Sequence, residues 1–260
     1  MERSIYEFPW LFRRVHMERP GEIAAEVKFL ERTWRRHLRR PVHRVLDLAC
    51  GDSPHGQLLA KRGIRVVGVD RAPAMIAAGR AAAGRDERVR LYRRRIERFR
   101  LPERLFDAAI FMSETFPVLT SNAALLGHLR SVAALLRRGG LYCIDIDRHD
   151  GIELEARRRL WRRRHVKAGP ARVAIREFHR PTTWCSGLQS IYELECLIRF
   201  PDGAVTTRDV VPVRYIVPPV MELAAAASGR FRLIACYADL SFDRPIERCF
   251  GRWMAVLRRL

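Results

Sequence analysis

Residues 45–56 read VLDLACGDSPHG, an aliphatic run that breaks into a tight polar turn. A buried parallel strand ending this way delivers its last residues to a helix start, where free backbone N–H groups and the helix dipole favour a negative group. Asp70 closes a second aliphatic run, IRVVGVD, nineteen residues beyond Gly51. An acid at that spacing accepts hydrogen bonds from both ribose hydroxyls of an adenosine, and its charge repels a 2′-phosphate. Ser53 before Pro54 reads as a serine N-cap, worth about 1 kcal/mol, with proline at the first helical position. Gly51 and Gly56 do not complete G-x-G-x-x-G, so a nicotinamide dinucleotide would lack the close backbone approach its pyrophosphate needs.

The elements that must hold these residues alternate strand and helix. Apolar spacing at Ile23, Val27, Leu30, Trp34 and Leu38 predicts a helix over 20–40, bounded by Pro20 and Pro41. Strands follow at 44–50, 64–70, 89–92, 107–112 and 141–146, with helices at 54–62, 73–83 and 121–138 between them. Such alternation implies a parallel sheet with right-handed crossovers and ligands at the carboxyl ends of the strands. After Asp147 an arginine-dense stretch, ELEARRRLWRRRH, precedes strand-like segments at 172–178, 188–200 and 204–217, the last two joined by the turn residues Pro201-Asp202-Gly203. The arginines of 157–164 would either coat an exposed helix or grip an acidic or phosphorylated acceptor, and charge runs are usually solvated. A short helix from Met221 to Ala227 and two more strands, FRLIACYADL and WMAVLRRL, complete the chain.

Composition narrows the class. The 260 residues are 48% hydrophobic, enough for a sizeable core, with no apolar run of membrane-spanning length and no signal-peptide pattern, so a cytoplasmic protein is expected. Cysteines 50, 143, 185, 196, 236 and 249 lack metal-site spacing, which predicts reduced core thiols and no metal. The formal charge is +20, with three lysines against a large excess of arginine. It suggests an anionic partner, yet a solvated charge excess reads the same way.

The stretch VLDLACGDSPHGQLLAKRGIRVVGVDRAPAMIAAGRAAA resembles the opening of class I S-adenosylmethionine-dependent methyltransferases. LFDAAIFMSETF is similar to the fourth strand of that family, LLRRGGLYCIDI to its Gly-Gly turn into strand five, and FRLIACYADLSFDRPIERCFGRWMAVLRRL to its closing portion. An antiparallel insert after strand five resembles the subgroup that includes sarcosine and amino-sugar N-methyltransferases. The resemblance implies an α/β, Rossmann-like, mostly parallel seven-stranded sheet with helices on both faces. It also implies a single domain over 1–260 that carries a small antiparallel β insert at 148–217.

By the same resemblance Asp47, Ala49 and Gly51, with Ser53 beside them, line the methionine end of S-adenosylmethionine, Asp70 and Arg71 meet the ribose, and Met112 faces the sulfonium. Family members place an aspartate at the adenine amino group where this chain has Arg95 and then Ile96, so backbone and packing would hold the adenine. Methyl transfer from a sulfonium needs mainly alignment of the nucleophile, which supplies about 7–11 kcal/mol. Glu114, Asp147, His149 and His179 are the candidates for removing a proton or orienting the acceptor. Tyr6, Arg214 and Tyr215 are candidates for acceptor binding, and the aromatics Tyr6, Phe8, Trp10 and Phe12 would either fold over the cofactor or anchor apolar surface. The expected acceptor is an amine or hydroxyl of a small molecule, with the enzyme a monomer or homodimer. An RNA or protein methyltransferase, argued from the charge, and a catalytically weak cofactor-binding or interaction module, argued from Ser53 and Arg95, are the alternatives.

Overall fold

The structure, a computed structural model, describes residues 3–16, 21–146, 159–181, 189–249 and 251–260. Its helices are α1 (Pro9–His16), α2 (Glu22–His37), α3 (Pro54–Lys61), α4 (Pro73–Ala83), α5 (Asn122–Leu135) and α6 (Pro218–Ser228). The strands are β1 (Arg44–Leu48), β2 (Arg65–Asp70), β3 (Val89–Arg93), β4 (Phe106–Phe111), β5 (Leu136–Ile146), β6 (Arg159–Ala168), β7 (Ala171–Pro181), β8 (Gln189–Phe200), β9 (Gly203–Arg214), β10 (Phe231–Ala238) and β11 (Trp253–Arg259). They form two compact units, one from residues 21–150 and 216–260, the other from 1–20 and 151–215.

The larger unit is a seven-stranded sheet in the order β10-β11-β5-β4-β1-β2-β3. The pairs among β5, β4, β1, β2 and β3 are parallel, and β11 runs antiparallel to both of its neighbours. Alternation of side chains along each strand feeds two cores. On one face Leu46, Leu48, Phe111 and Tyr142 pack with Leu129 and Val132 of α5 and Met221 of α6. On the other, Val45, Ile110 and Met254 pack with Val27, Leu30 and Trp34 of α2 and Leu59 of α3. The Rossmann-like arrangement expected from the sequence is thus present, with helices on both faces.

The helix predicted over 121–138 is shorter. It stops at Leu135, because Leu136 pairs with Phe106 and begins β5 five residues earlier than the apolar pattern suggested. Gly139, at φ 74°, makes the bend there, and a Cβ on Gly140 would meet the Arg137 and Asp107 carbonyl oxygens at 2.8 and 3.0 Å.

The smaller unit is a four-stranded antiparallel sheet, β6-β7-β8-β9. The arginine-dense stretch is an edge strand from Arg159 onward, not an exposed helix, so the meander has four strands where the sequence suggested three. Charge on an edge strand discourages further strand pairing. One face of this sheet, with Val173, Ile175, Cys196 and Ile198, buries Ile5, Leu11 and Val15, and Tyr6, Phe8 and Phe12 pack around them. The N-terminal aromatics therefore anchor α1 to the sheet. No helix among the described residues is long and apolar enough to cross a membrane.

Candidate functional site

The loop between β1 and α3 holds Ala49 at φ 49°, Gly51 at φ 56° and Ser53 at φ 58°. Only glycine adopts this left-handed region without cost, and two of the three residues are not glycine. Strain of this kind persists where surrounding structure over-determines it. Three hydrogen bonds do so: the Cys50 N–H donates to the Val69 carbonyl at 3.0 Å, the Ser53 N–H to the Cys50 carbonyl at 2.7 Å, and the Gly51 N–H to Asp70 Oδ2 at 2.9 Å.

Ser53 does not cap α3 with its side chain. In the left-handed conformation its hydroxyl turns back to donate to Asp47 Oδ2 at 3.1 Å, while its carbonyl accepts from the Gln57 N–H. A Cβ at Gly56 would collide with that hydroxyl, so the glycine keeps the Ser53–Asp47 bond in place. Ser53 is the N-cap residue and Pro54 opens the helix, as the sequence signalled, but the serine hydroxyl is a strut for an acid.

Asp47, next to last in β1, and Asp70, the last residue of β2, lie at the carboxyl ends of neighbouring parallel strands, and both are buried. Burial pushes the Asp47 carboxyl up to about 6, and the negative charge of Asp70 adds to this against the opposing effects of His55 and Ser53. Asp70 is also raised, chiefly by burial, although the Ala72 and Gly51 N–H groups partly offset it. Its Oδ1 accepts from the Ala72 N–H at 2.8 Å and its Oδ2 from the Gly51 N–H, and the Arg71 backbone adds to their effect. Burial, with Asp47, Asp70 and Asp52 around it, drives the Cys50 thiol well above its usual range. The loop is therefore a concentration of negative charge in a chain whose formal charge is +20.

A second group of charges was not anticipated from the sequence. Arg252, just before β11, donates from Nε and Nη2 to the two oxygens of the fully buried Asp145 at 2.8 Å each. The same guanidinium bonds Glu26 and lies 3.4 Å from Glu22 and 3.5 Å from Glu114. Burial alone would weaken its hold on the proton, but Asp145, Glu26 and Glu114 outweigh it and keep Arg252 above the normal arginine range. Glu26 also accepts from His55 Nε2 at 2.5 Å, and these bonds hold its carboxyl below the usual range despite burial. The signals available were Glu22 and Glu26, one turn apart at the start of α2, and a histidine directly after Pro54. Nothing in the sequence names Arg252 as their shared partner.

Of the other predicted residues, Met112 is buried just beyond β4, and Glu114, at φ 56°, donates its N–H to Asp145 Oδ2 at 3.2 Å. Arg71 follows Asp70 on the surface. Arg95 is exposed and paired with Glu97 at 3.1 Å. Ile96 packs on the core, and its carbonyl accepts from His128 Nδ1 at 2.7 Å. Burial pulls the His128 ring down to about 4, so it stays neutral, with Nε2 accepting from the Tyr142 hydroxyl at 2.6 Å. In the smaller unit Tyr6 lies near Phe12 at 5.1 Å, His179 lies 5.4 Å from the Tyr192 ring, Arg214 ends β9 and Tyr215 follows it. Asp147 and His149 lie outside the described residues.

Residues 45–140 match the family model described as a methyltransferase domain. No curated protein sequence matches the chain. Among solved structures, an S-adenosylmethionine-dependent methyltransferase from Clostridium acetobutylicum superimposes with a TM-score of 0.78 at 13% identity, covering 95% of this chain and 97% of that one. A sugar N-methyltransferase from a Streptoalloteichus species gives 0.74 at 23% identity, with 96% and 93% covered. An S-adenosylmethionine-bound amino pentose methyltransferase from Micromonospora echinaspora gives 0.70 at 19%, with 95% and 96% covered. At these identities the likeness is one of fold, and the fold is the Rossmann-like methyltransferase fold.

Proposed function

We propose that the chain is an S-adenosylmethionine-dependent methyltransferase acting on an amine, or secondarily a hydroxyl, of a small molecule. The observation that carries this reading is the acidic loop: Asp47, Asp52 and Asp70 surround the Cys50 turn at the carboxyl ends of β1 and β2. A site of that sign suits a ligand with an ammonium and a sulfonium and opposes a dinucleotide pyrophosphate or an RNA phosphate. It also matches the methyltransferase-domain segment, 45–140.

The residues present fit the cofactor. Asp70 offers a carboxylate at the end of β2, the acceptor a vicinal diol requires. An ammonium beside Asp47 would return its carboxyl to the ionised form that burial resists. Gly51 has no heavy atom within 4 Å of where a Cβ would stand, leaving its outer side open. When bound, S-adenosylmethionine supplies an activated methyl group on a sulfonium.

The chain's own task is then to bind, align and deprotonate. Asp70 would hold the ribose, with Arg71 beside it, and Asp47, Ala49, Gly51 and Ser53 the methionine end. Ile96, its backbone fixed by His128, and the neighbouring Arg95 would border the adenine, and Met112 the sulfur. Glu114 is the described candidate for the acceptor's proton in the larger unit, oriented by its N–H bond to Asp145 and the nearby Arg252. His179 on β7 is the other described candidate, and Tyr6, Arg214 and Tyr215 are proposed acceptor contacts. Asp147 and His149 stay in the proposal on sequence alone.

The sugar N-methyltransferase among the similar folds makes amino sugars the first acceptors to try. Incubation with methyl-labelled S-adenosylmethionine and a set of amino sugars, paired with their hydroxyl counterparts, should label the amines. Label passing only into RNA or protein, with none in the small molecules, would overturn the reading.

A further inference from the structure

At the amino ends of the parallel strands the molecule has a cleft of about 660 Å³. Arg35, Arg36, Arg39 and Arg40 line it from the end of α2 and the turn beyond, Arg138 from the bend that opens β5, and Arg258 from β11. The register fixes its position: Arg258 pairs with Leu141, whereas Trp253, next to the Arg252 network, pairs with Ile146 at the other end of β5. The cleft and the acidic loop therefore occupy opposite ends of one sheet, separated by the length of a five-residue strand, on the order of 15 Å.

The carboxylates nearby do not neutralise it. Asp107 lies 3.9 Å from Arg40, but it is buried, accepts the His43 and Arg44 N–H groups, and lies closer to Arg137, at 3.3 Å. Arg35, Arg39 and Arg138 form no ion pair among the described residues. Arg258 donates from Nη2 to the His37 carbonyl at 2.9 Å, while its Nε is buried without a hydrogen-bond partner. A buried donor left unmet is costly. Burial, with Arg258 and Arg36 adding to it, lowers the His37 ring from its ordinary value, and Arg138 adds to burial in lowering Arg259. Like charges thus crowd this end of the sheet.

Cations at a helix carboxyl end complement its dipole, and that would account for Arg35 and Arg36. It does not account for Arg138 and Arg258, which come from distant parts of the chain to the same concavity. The volume lies within the range of small-molecule sites, and guanidinium groups bind phosphate oxygens bidentately. We infer that this cleft binds a small ligand carrying two or more phosphate groups, at a site separate from the acidic loop.

Inorganic tripolyphosphate, ADP and a 20-nucleotide RNA, each titrated calorimetrically into the full chain at physiological salt, test this. Tripolyphosphate should bind saturably with one site per chain. In an Arg39→Glu/Arg138→Glu variant, which changes only exposed side chains, that affinity should fall at least about tenfold, the scale of losing a charged hydrogen bond. Binding of S-adenosylhomocysteine should be unchanged in the same variant, which also shows that it is folded. If ADP matches tripolyphosphate the phosphates alone are recognised, and if ADP binds more tightly the ligand is a nucleotide; both support the site. Tripolyphosphate that fails to saturate, equal affinity in the variant, or RNA binding far more tightly than either small ligand would overturn it.

Discussion

Asp47 shows what a single residue contributes. Its carboxyl is raised in the folded chain to about 6 from an ordinary value of 3.8, so the fold favours the protonated form. As pH rises from about 4 through 6 the unfolded chain ionises first, stability is lost across that window, and the deficit persists above it. Asp47→Asn should therefore unfold at higher denaturant than the parent at pH 7.5, by about 1–3 kcal/mol, with the difference vanishing near pH 4. The same variant should bind S-adenosylhomocysteine less tightly. A less stable Asp47→Asn at pH 7.5 would contradict the account of its burial. Gly51→Ala separates backbone from ligand effects: its left-handed φ costs about 1–2 kcal/mol of stability and its Cβ meets no protein atom. Cofactor affinity should fall by more than stability does, in titrations run beside denaturant melts.

Elements were legible where apolar periodicity was strong. Helix α4 starts and stops where Pro73 and Gly84 signalled, and β1 to β4 fall within a residue or two of their apolar runs. Strand β6 was not, because an edge strand studded with arginine has no apolar alternation to read. The side-chain role of Ser53 was hidden for a different reason: a serine before proline has the same composition whether its hydroxyl faces the helix or an acid on the preceding strand. One Arg252 guanidinium joins α2, β5 and the loop after β4, and His55 of α3 reaches it through Glu26, a relation that exists only once the sheet has formed. Arg252→Ala leaves Asp145 and Glu26 buried without their cation, and should cost about 3–5 kcal/mol in chemical denaturation. Arg252→Lys should recover part of that loss. An alanine variant within about 1 kcal/mol of the parent would remove the network from any structural role.

Across the whole molecule, charge is sorted by end of the sheet. The carboxyl ends of β1 and β2 gather aspartates, while the amino ends gather arginines, so a formal charge of +20 says little about either site. The sheet order places the acidic loop where a parallel α/β sheet receives its ligand, and Asp70, proposed to hold the ribose, adjoins that loop. The nearness of turn and acid was readable in the sequence from their spacing of nineteen residues, and the Gly51 N–H bond to Asp70 joins them in the fold. The most direct measurement is a calorimetric titration of S-adenosylhomocysteine into the parent chain and into Asp70→Ala. Saturable binding to the parent, weakened by about 1–3 kcal/mol in the variant, is the predicted result. No binding at millimolar ligand, or the same affinity in both proteins, would contradict the assignment.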